Sequence, residues 1–264
     1  MAKYFGCEFV FDSIPSRNYD LRIMDFQSSG VDSEDVGSEV DIVQKTIYRR
    51  SRPYFYGRST NKNLEFDLTI GSADPISADD RSIINKWMLG RMDYLPFQII
   101  QSDMSSIIFY VIFDKASAKY VGNVNRGMSF HGICRDPWGF EEQKTLIKTY
   151  SVSAIVNETW NFMNLSANSD YLKPTLSFTM AGIGTYLNLT NITDNSRIFS
   201  FTGLSALETM TVDNDREIIS SSTGLMRMSN FNKKFFRLIP GLNQITIDGG
   251  ITNLTTIYQF VKKA

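Results

Sequence analysis

Residues 66–99 read FDLTIGSADPISADDRSIINKWMLGRMDYLPFQI, and this stretch decides the fold. Ser77 is placed to cap a helix, and Asp80, three residues on, to reach back as a short-armed capping box. Ile83, Ile84, Trp87 and Met88 recur at helical spacing, so they are expected to form one buried face, with Asp79, Asp80, Lys86 and Arg91 turned away from it. Gly90 stands where a left-handed residue commonly ends a helix, and Pro96 blocks continuation. Upstream, Leu64, Phe66, Leu68 and Ile70 alternate with polar residues as a half-buried strand does. The unit is strand, capped helix over about 77–90, strand. This is the one convincing helix signal in 264 residues.

Outward from this unit the chain reads as β structure. CEFVFD, residues 7–12, alternates, turns at 13–16 and resumes with Leu21 and Ile23. Residues 28–41, SSGVDSEDVGSEVD, are acidic, but Asp32, Glu34, Asp35, Glu39 and Asp41 lack the spacing of an EF-hand calcium loop. A solvated loop is expected there. Residues 43–58, VQKTIYRRSRPYFYGR, interleave Lys45, Arg49, Arg50, Arg52 and Arg58 with Tyr48, Tyr54, Phe55 and Tyr56. That composition suits a nucleic-acid platform and suits a subunit contact equally. Ile107–Phe113 reads as a strand apolar on both faces, and Met128, Phe130, Gly132 and Cys134 alternate toward the turn Asp136-Pro137-Trp138-Gly139. Trp138 fits either a plug for the end of a sandwich or a protein interface. The pattern loosens between Tyr150 and Pro174, which sets the expected linker and domains at 1–150 and 151–264. Beyond it come short strands, among them 176–180, 198–201, 225–228 and 235–239, separated by Gly, Asn and Asp turns in the manner of a β-sandwich.

Composition bounds the function. With 42% hydrophobic and 21% charged residues the chain is globular, and a net charge of −1 argues against bulk attraction to nucleic acid or membrane. The start, MAKYFGCEFVFD, lacks the apolar stretch of a signal peptide. Cys7 and Cys134 make neither a disulfide framework nor, with the single histidine His131, a zinc site. No phosphate-binding or dinucleotide fingerprint appears. Glu141–Glu142 and Asp213 with Asp215 are neighbours in sequence and do not supply the geometry of a glycosidase pair. No catalytic, cofactor-binding or metal-binding residue is assigned, and no cofactor is expected. The candidate interface residues are Tyr48, Arg49, Arg50, Arg52, Tyr54, Asp136 and Trp138.

Six segments then carry a resemblance: FVFDSIPSRNYDLRI at 9–23, EFDLTIGS at 65–72, ISADDRSIINKWMLGRMDYLPFQI at 76–99, YVIFDKASAKYVGN at 110–123, SFHGICRDPWGF at 129–140 and FFRLIPGLNQITIDGG at 235–250. In this order they resemble the distal tail proteins of long-tailed bacteriophages. The resemblance implies a mainly β protein of two sandwich-type domains, the second similar to galectins and carbohydrate-binding modules. It further implies a hexameric ring in the virion, at the tail tip or baseplate. That ring would join the tail tube protein to the tail-tip hub and to receptor-binding proteins or fibres, with DNA passing through its lumen. Synthesis in the bacterial cytoplasm, no sequence-specific nucleic-acid partner and no membrane partner follow from it. The alternative is a lectin-like adhesion module. After Trp160 there is no tryptophan and after His131 no histidine, so Tyr171, Tyr186, Phe231, Phe235, Phe236 and Tyr258 are left as sources of a sugar platform.

Overall fold

In a computed structural model the described residues are 7–24, 41–49, 51–59, 63–100, 106–151, 156–182 and 185–262. The acidic residues Asp32, Glu34, Asp35 and Glu39 lie outside them, as does Arg50. The protein is mainly β, with one α-helix among the described residues. It divides into two compact units, Met1–Glu141 with Lys262–Ala264, and Glu142–Val261. None of the described helices is long and apolar enough to cross a membrane.

The first unit holds strands β1 (Glu8–Phe11), β2 (Ile14–Pro15), β3 (Arg22–Ile23), β4 (Asp41–Lys45), β5 (Tyr54–Ser59) and β6 (Glu65–Gly71). Helix α1 (Ala78–Leu89) follows, then β7 (Leu95–Ile100), β8 (Ile108–Val121), β9 (Val124–Cys134) and β10 (Gly139–Phe140). The main path of its sheet runs β2-β1-β7-β8-β9-β6-β3. The two ends of the path approach each other, because Ile23 at one end donates its N–H to the Cys7 carbonyl beside β1 at 3.0 Å. Met24 donates to Thr69 on the other side of β3, also at 3.0 Å. One curled sheet therefore surrounds the core, with α1 alongside β8. The period-two pattern explains the inside: Phe9, Phe11, Leu68, Ile70, Phe97, Val111, Phe113, Met128 and Phe130 are all buried.

Helix α1 starts as the sequence predicts. The Ser77 hydroxyl accepts from the Asp80 N–H at 3.1 Å, and the Asp80 carboxylate accepts from the Ser77 N–H at 3.2 Å. Two expectations are corrected. Ile84, Trp87 and Met88 are buried, but Ile83 is 52% exposed. At 100° per residue the three buried positions share an arc, and Ile83 falls at its margin, roughly 90° from the centre. Gly90 is not left-handed either, with φ −79° and ψ 18°. Glycine is required there because a Cβ would sit 2.4 Å from the Lys86 carbonyl oxygen.

The second unit holds β11 (Lys144–Thr149), β12 (Val156–Asn164), β13 (Thr175–Met180), β14 (Leu187–Asn191) and β15 (Arg197–Phe201). It continues with β16 (Thr209–Asp213), β17 (Ile218–Ser221), β18 (Gly241–Gly249) and β19 (Ile251–Tyr258). They form two sheets, β11-β19-β13-β16-β17 and β12-β18-β14-β15. Phe162, Phe178, Phe199, Phe201, Phe231 and Phe236 fill the core between them. The segment read as a linker, 150–174, contains β12, paired with β18 over nine residues. Its inward row, Val156, Glu158, Trp160, Phe162 and Asn164, is interrupted by two polar residues, which hid the alternation in the sequence. Residues 225–228 and 235–239 are not strands. The first leads into a 3-10 turn at Met228–Asn230. The second pairs its backbone only at the isolated bridge Leu172↔Leu238, being held to the sheets by side chains such as Asn164, Asn191 and Arg197, which donate to its carbonyls. The buried Asn214 replaces a strand ladder there: its side chain accepts the Phe236 N–H at 2.8 Å and donates to the Pro174 carbonyl at 2.6 Å.

Candidate assembly interface

Strands β4 and β5 form a separate two-stranded sheet. Gln44 pairs with Phe55 and Lys45 with Tyr54, while Val43 pairs with Gly57, so one residue bulges out. Gly57 takes φ +122°, a value open to glycine and strained for other residues. At the tip, Arg49 sits at φ +65°, and its guanidinium lies 5.4 Å from the centre of the Tyr48 ring. The side chains are apolar and outward. Tyr48 is 86% exposed and Phe55 and Tyr56 are each 67% exposed, with Ile42, Val43 and Ile47 exposed beside them. Neighbours along a strand point to opposite faces. In the register of the arm Ile42 and Phe55 fall on one face and Val43 on the other, so both faces carry apolar residues. The core of the first unit is complete without them.

Of the residues picked from the sequence, Tyr48, Arg49, Arg52 and Tyr54 lie together on this arm, with a shallow recess lined by Ser51, Arg52, Pro53 and Tyr54. Asp136 and Trp138 belong to a different element, the turn between β9 and β10. There Asp136 pairs with Arg135 at 2.8 Å, the Arg135 guanidinium covers the Tyr110 ring at 4.6 Å, and Trp138 is half-buried. The two sets are parts of different sheets. Sequence reasoning passed over Ile42, Val43 and Tyr56 as contact residues. Their signal was present: apolar residues on both faces of a basic hairpin have no reason to stay in water.

The remaining candidates for chemistry are structurally occupied. His131 Nδ1 is 2.8 Å from the Asp114 carboxylate and Nε2 is 3.7 Å from Glu65. The hydrogen bond from His131 holds the Asp114 carboxyl below its ordinary value. Burial pushes the Cys134 thiol up to about 12, with the Asp136 charge adding to it, so the thiol stays protonated and inert. Asp213 accepts the N–H groups of Asp215 and Arg216 at 3.1 and 3.0 Å and closes the β16–β17 turn. Among the described residues no cluster of His, Cys, Asp and Glu is arranged to hold a metal.

Among the described residues of the second unit the most enclosed charged group is Glu208, 1% exposed. It accepts from Arg227 Nε at 2.8 Å, from Arg227 Nη2 at 2.7 Å, from the Ser221 hydroxyl at 2.5 Å and from the Ser205 N–H at 2.8 Å. Burial pushes its carboxyl up, but these donors outweigh burial and hold it down at about 2. The pair anchors the exposed loop that carries Leu225 and Met226.

This architecture matches known phage tail proteins. Residues 5–136 match the family described as phage tail protein N-terminal domain, and residues 138–258 match that described as phage tail C-terminal domain. The chain belongs to this phage tail protein family and is a structural component of the virion. Its fold is Dit-like. The Dit protein of phage SPP1, described as a paradigm of the hub adsorption apparatus in phages infecting Gram-positive hosts, superposes with a TM-score of 0.68 at 14% identity, over 96% of this chain and 99% of that one. A chain of the phage P2 baseplate in its activated conformation with calcium gives 0.54 at 9% identity, covering 96% and 97%. Its counterpart with strontium gives 0.55 at 8%, covering 98% of each. A search of curated proteins gives no match.

Proposed function

We propose that this protein is a non-enzymatic distal tail protein, six copies of which form a ring joining the tail tube to the tail-tip hub. The observation that carries the proposal is the β4–β5 arm. A two-stranded hairpin with apolar residues on both faces is marginal in water and gains stability by being covered. In a ring each copy both covers and is covered, as a closed heterologous contact requires. Family membership and the Dit-like fold of both units support the same reading. Ring formation is assigned to the first domain, with Tyr48, Arg49, Arg50, Arg52 and Tyr54 as contact residues and Asp136 and Trp138 as a second contact. The second domain is assigned to receptor-binding components, and DNA passes through the lumen of the ring. The protein is made in the bacterial cytoplasm and ends in the virion.

Light scattering and negative-stain imaging of the purified protein, alone and mixed with tube and hub proteins, test this reading. Rings are the expected result. A monomer under all of these conditions overturns it.

The lectin reading has less support from the geometry. Arg237 lies 3.9 Å from the Tyr171 ring centre, and Lys148 lies 4.5 Å from that of Trp160. Phe231, Phe235, Phe236 and Tyr258 belong to or line the core. The Tyr186 hydroxyl donates to Asp248 at 3.1 Å. Each ring considered as a sugar platform is thus engaged within the unit.

A further inference from the structure

We propose that the β4–β5 arm of one copy seats on the exposed side of helix α1 in a neighbouring copy. The inference rests on the ring reading above and names the surface the arm covers. Three exposed regions of the first unit carry apolar side chains outside the arm: the tip of the β8–β9 hairpin (Tyr120, Val121, Val124), Ile100, and the outer side of α1 with its C-terminal turn, where Ile83 is 52% and Met92 99% exposed. Charge separates them. The arm, residues 41–59, contains Lys45, Arg49, Arg50, Arg52 and Arg58 against one acidic residue, Asp41, the first of β4.

The hairpin tip, residues 119–126, contains Lys119 and Arg126 and no acidic residue, so a basic arm is repelled there. Around α1 the exposed charged residues are Asp74, Asp79, Asp80 and Asp93, with Lys86 the exposed cation among them. Three further cations are already engaged: Arg81 donates to the Tyr120 hydroxyl at 3.4 Å, Arg91 pairs with Asp12 at 2.7 Å, and Arg126 donates to the Ala73 carbonyl beside Asp74. Asp79 and Ile83 are one helical turn apart on the same side. An aromatic from the arm resting on Ile83 would bring Arg49 or Arg52 toward Asp79, and Tyr and Arg are the residues that dominate such contacts. The seat also accounts for Ile83, an apolar residue at the margin of the buried arc that its own subunit leaves 52% exposed.

Cross-linking tests the placement in the full chain, in a Cys7→Ser background that leaves the buried Cys134. Phe55→Cys protein is mixed with Ile83→Cys protein, and separately with Val121→Cys protein, then treated with a short bismaleimide. A dimer band is expected in the first mixture and is absent or at least about tenfold weaker in the second. Charge reversal provides the independent measurement. Arg49→Glu with Arg52→Glu, or Asp74→Lys with Asp79→Lys, weakens association about tenfold or more, and a mixture of the two variants recovers it. Rings that persist while Phe55→Cys links to Val121→Cys, or only to a different tail protein, overturn the seat and leave the ring reading standing. A parent protein that never assembles removes both.

Discussion

Trp87 of α1 lies parallel to Phe9 of β1, with ring centroids 5.8 Å apart and 9° between the planes, and its indole N–H donates to the Phe11 carbonyl at 3.3 Å. Tyr19 and Phe11 hold the same indole from other sides, at 4.8 and 6.2 Å. One helix side chain thus ties α1 to the first strand. Trp87→Ala is expected to destabilise the first unit by ~3–5 kcal/mol, since it empties a closed aromatic cluster and leaves a carbonyl without its donor. Urea unfolding followed by circular dichroism measures it. A loss below about 1 kcal/mol would show that the indole is not core.

The end of α1 separates two roles for a glycine. If a left-handed backbone were needed, Gly90→Asn would be tolerated much better than Gly90→Ala. Because the constraint is contact with the Lys86 carbonyl, both substitutions are expected to cost ~1–3 kcal/mol, as overpacking does. Thermal melts of the two variants decide the matter; a large advantage for asparagine would restore the left-handed reading.

The Glu208–Arg227 pair gives the second unit a pH dependence with a definite sign. Its carboxyl is held below the ordinary value, so the stabilisation is fully present above about pH 4.5 and is lost as pH falls toward 2. The shift corresponds to roughly 3 kcal/mol. Glu208→Gln should cost ~3–5 kcal/mol at neutral pH, because Arg227 keeps its charge without its partner. The variant should also flatten the acid limb of the stability curve of residues 142–261. An acid limb as steep as that of the parent would remove Glu208 as its source.

Phe55→Ser with Tyr56→Ser should leave the melting of the monomer within ~0.5 kcal/mol of the parent, as expected for surface positions. The same double variant should abolish ring formation in light scattering. A variant that melts much earlier would mean the arm serves its own subunit, and one that still forms rings would remove the arm from the contact.

The second domain is expected to bind no simple sugar with useful affinity. Calorimetric titration or a glycan array on the full chain checks this. Saturable micromolar binding lost on replacing one exposed aromatic would make the protein an adhesin first.

Local signals survived the passage from sequence to structure. The Ser77–Asp80 box, the Ile84–Trp87–Met88 spacing and the alternation of Phe9 with Phe11 and of Leu68 with Ile70 each depend on residues a few positions apart. They are written in the order of the chain. The mainly β class and the capped helix were therefore legible from residues alone, and the phage tail family from the resemblance of six segments in order.

What the sequence did not settle depends on residues far apart. Whether Ile83 is covered depends on the width of the surface it meets, and whether Gly90 must bend or merely make room depends on how α1 ends against the Lys86 carbonyl. Strand β12 was hidden because Glu158 and Asn164 interrupt its inward row, and only its pairing with β18, some eighty residues on, declares it a strand. Glu208 and Arg227 carry no mark of their burial until the loop closes over them. The arm is the opposite case: its aromatics read equally as a nucleic-acid platform or a subunit contact, and only the fold shows them exposed beside a core that does without them. Burial is a property of the assembled surface, and the chain specifies it only through contacts that folding brings together.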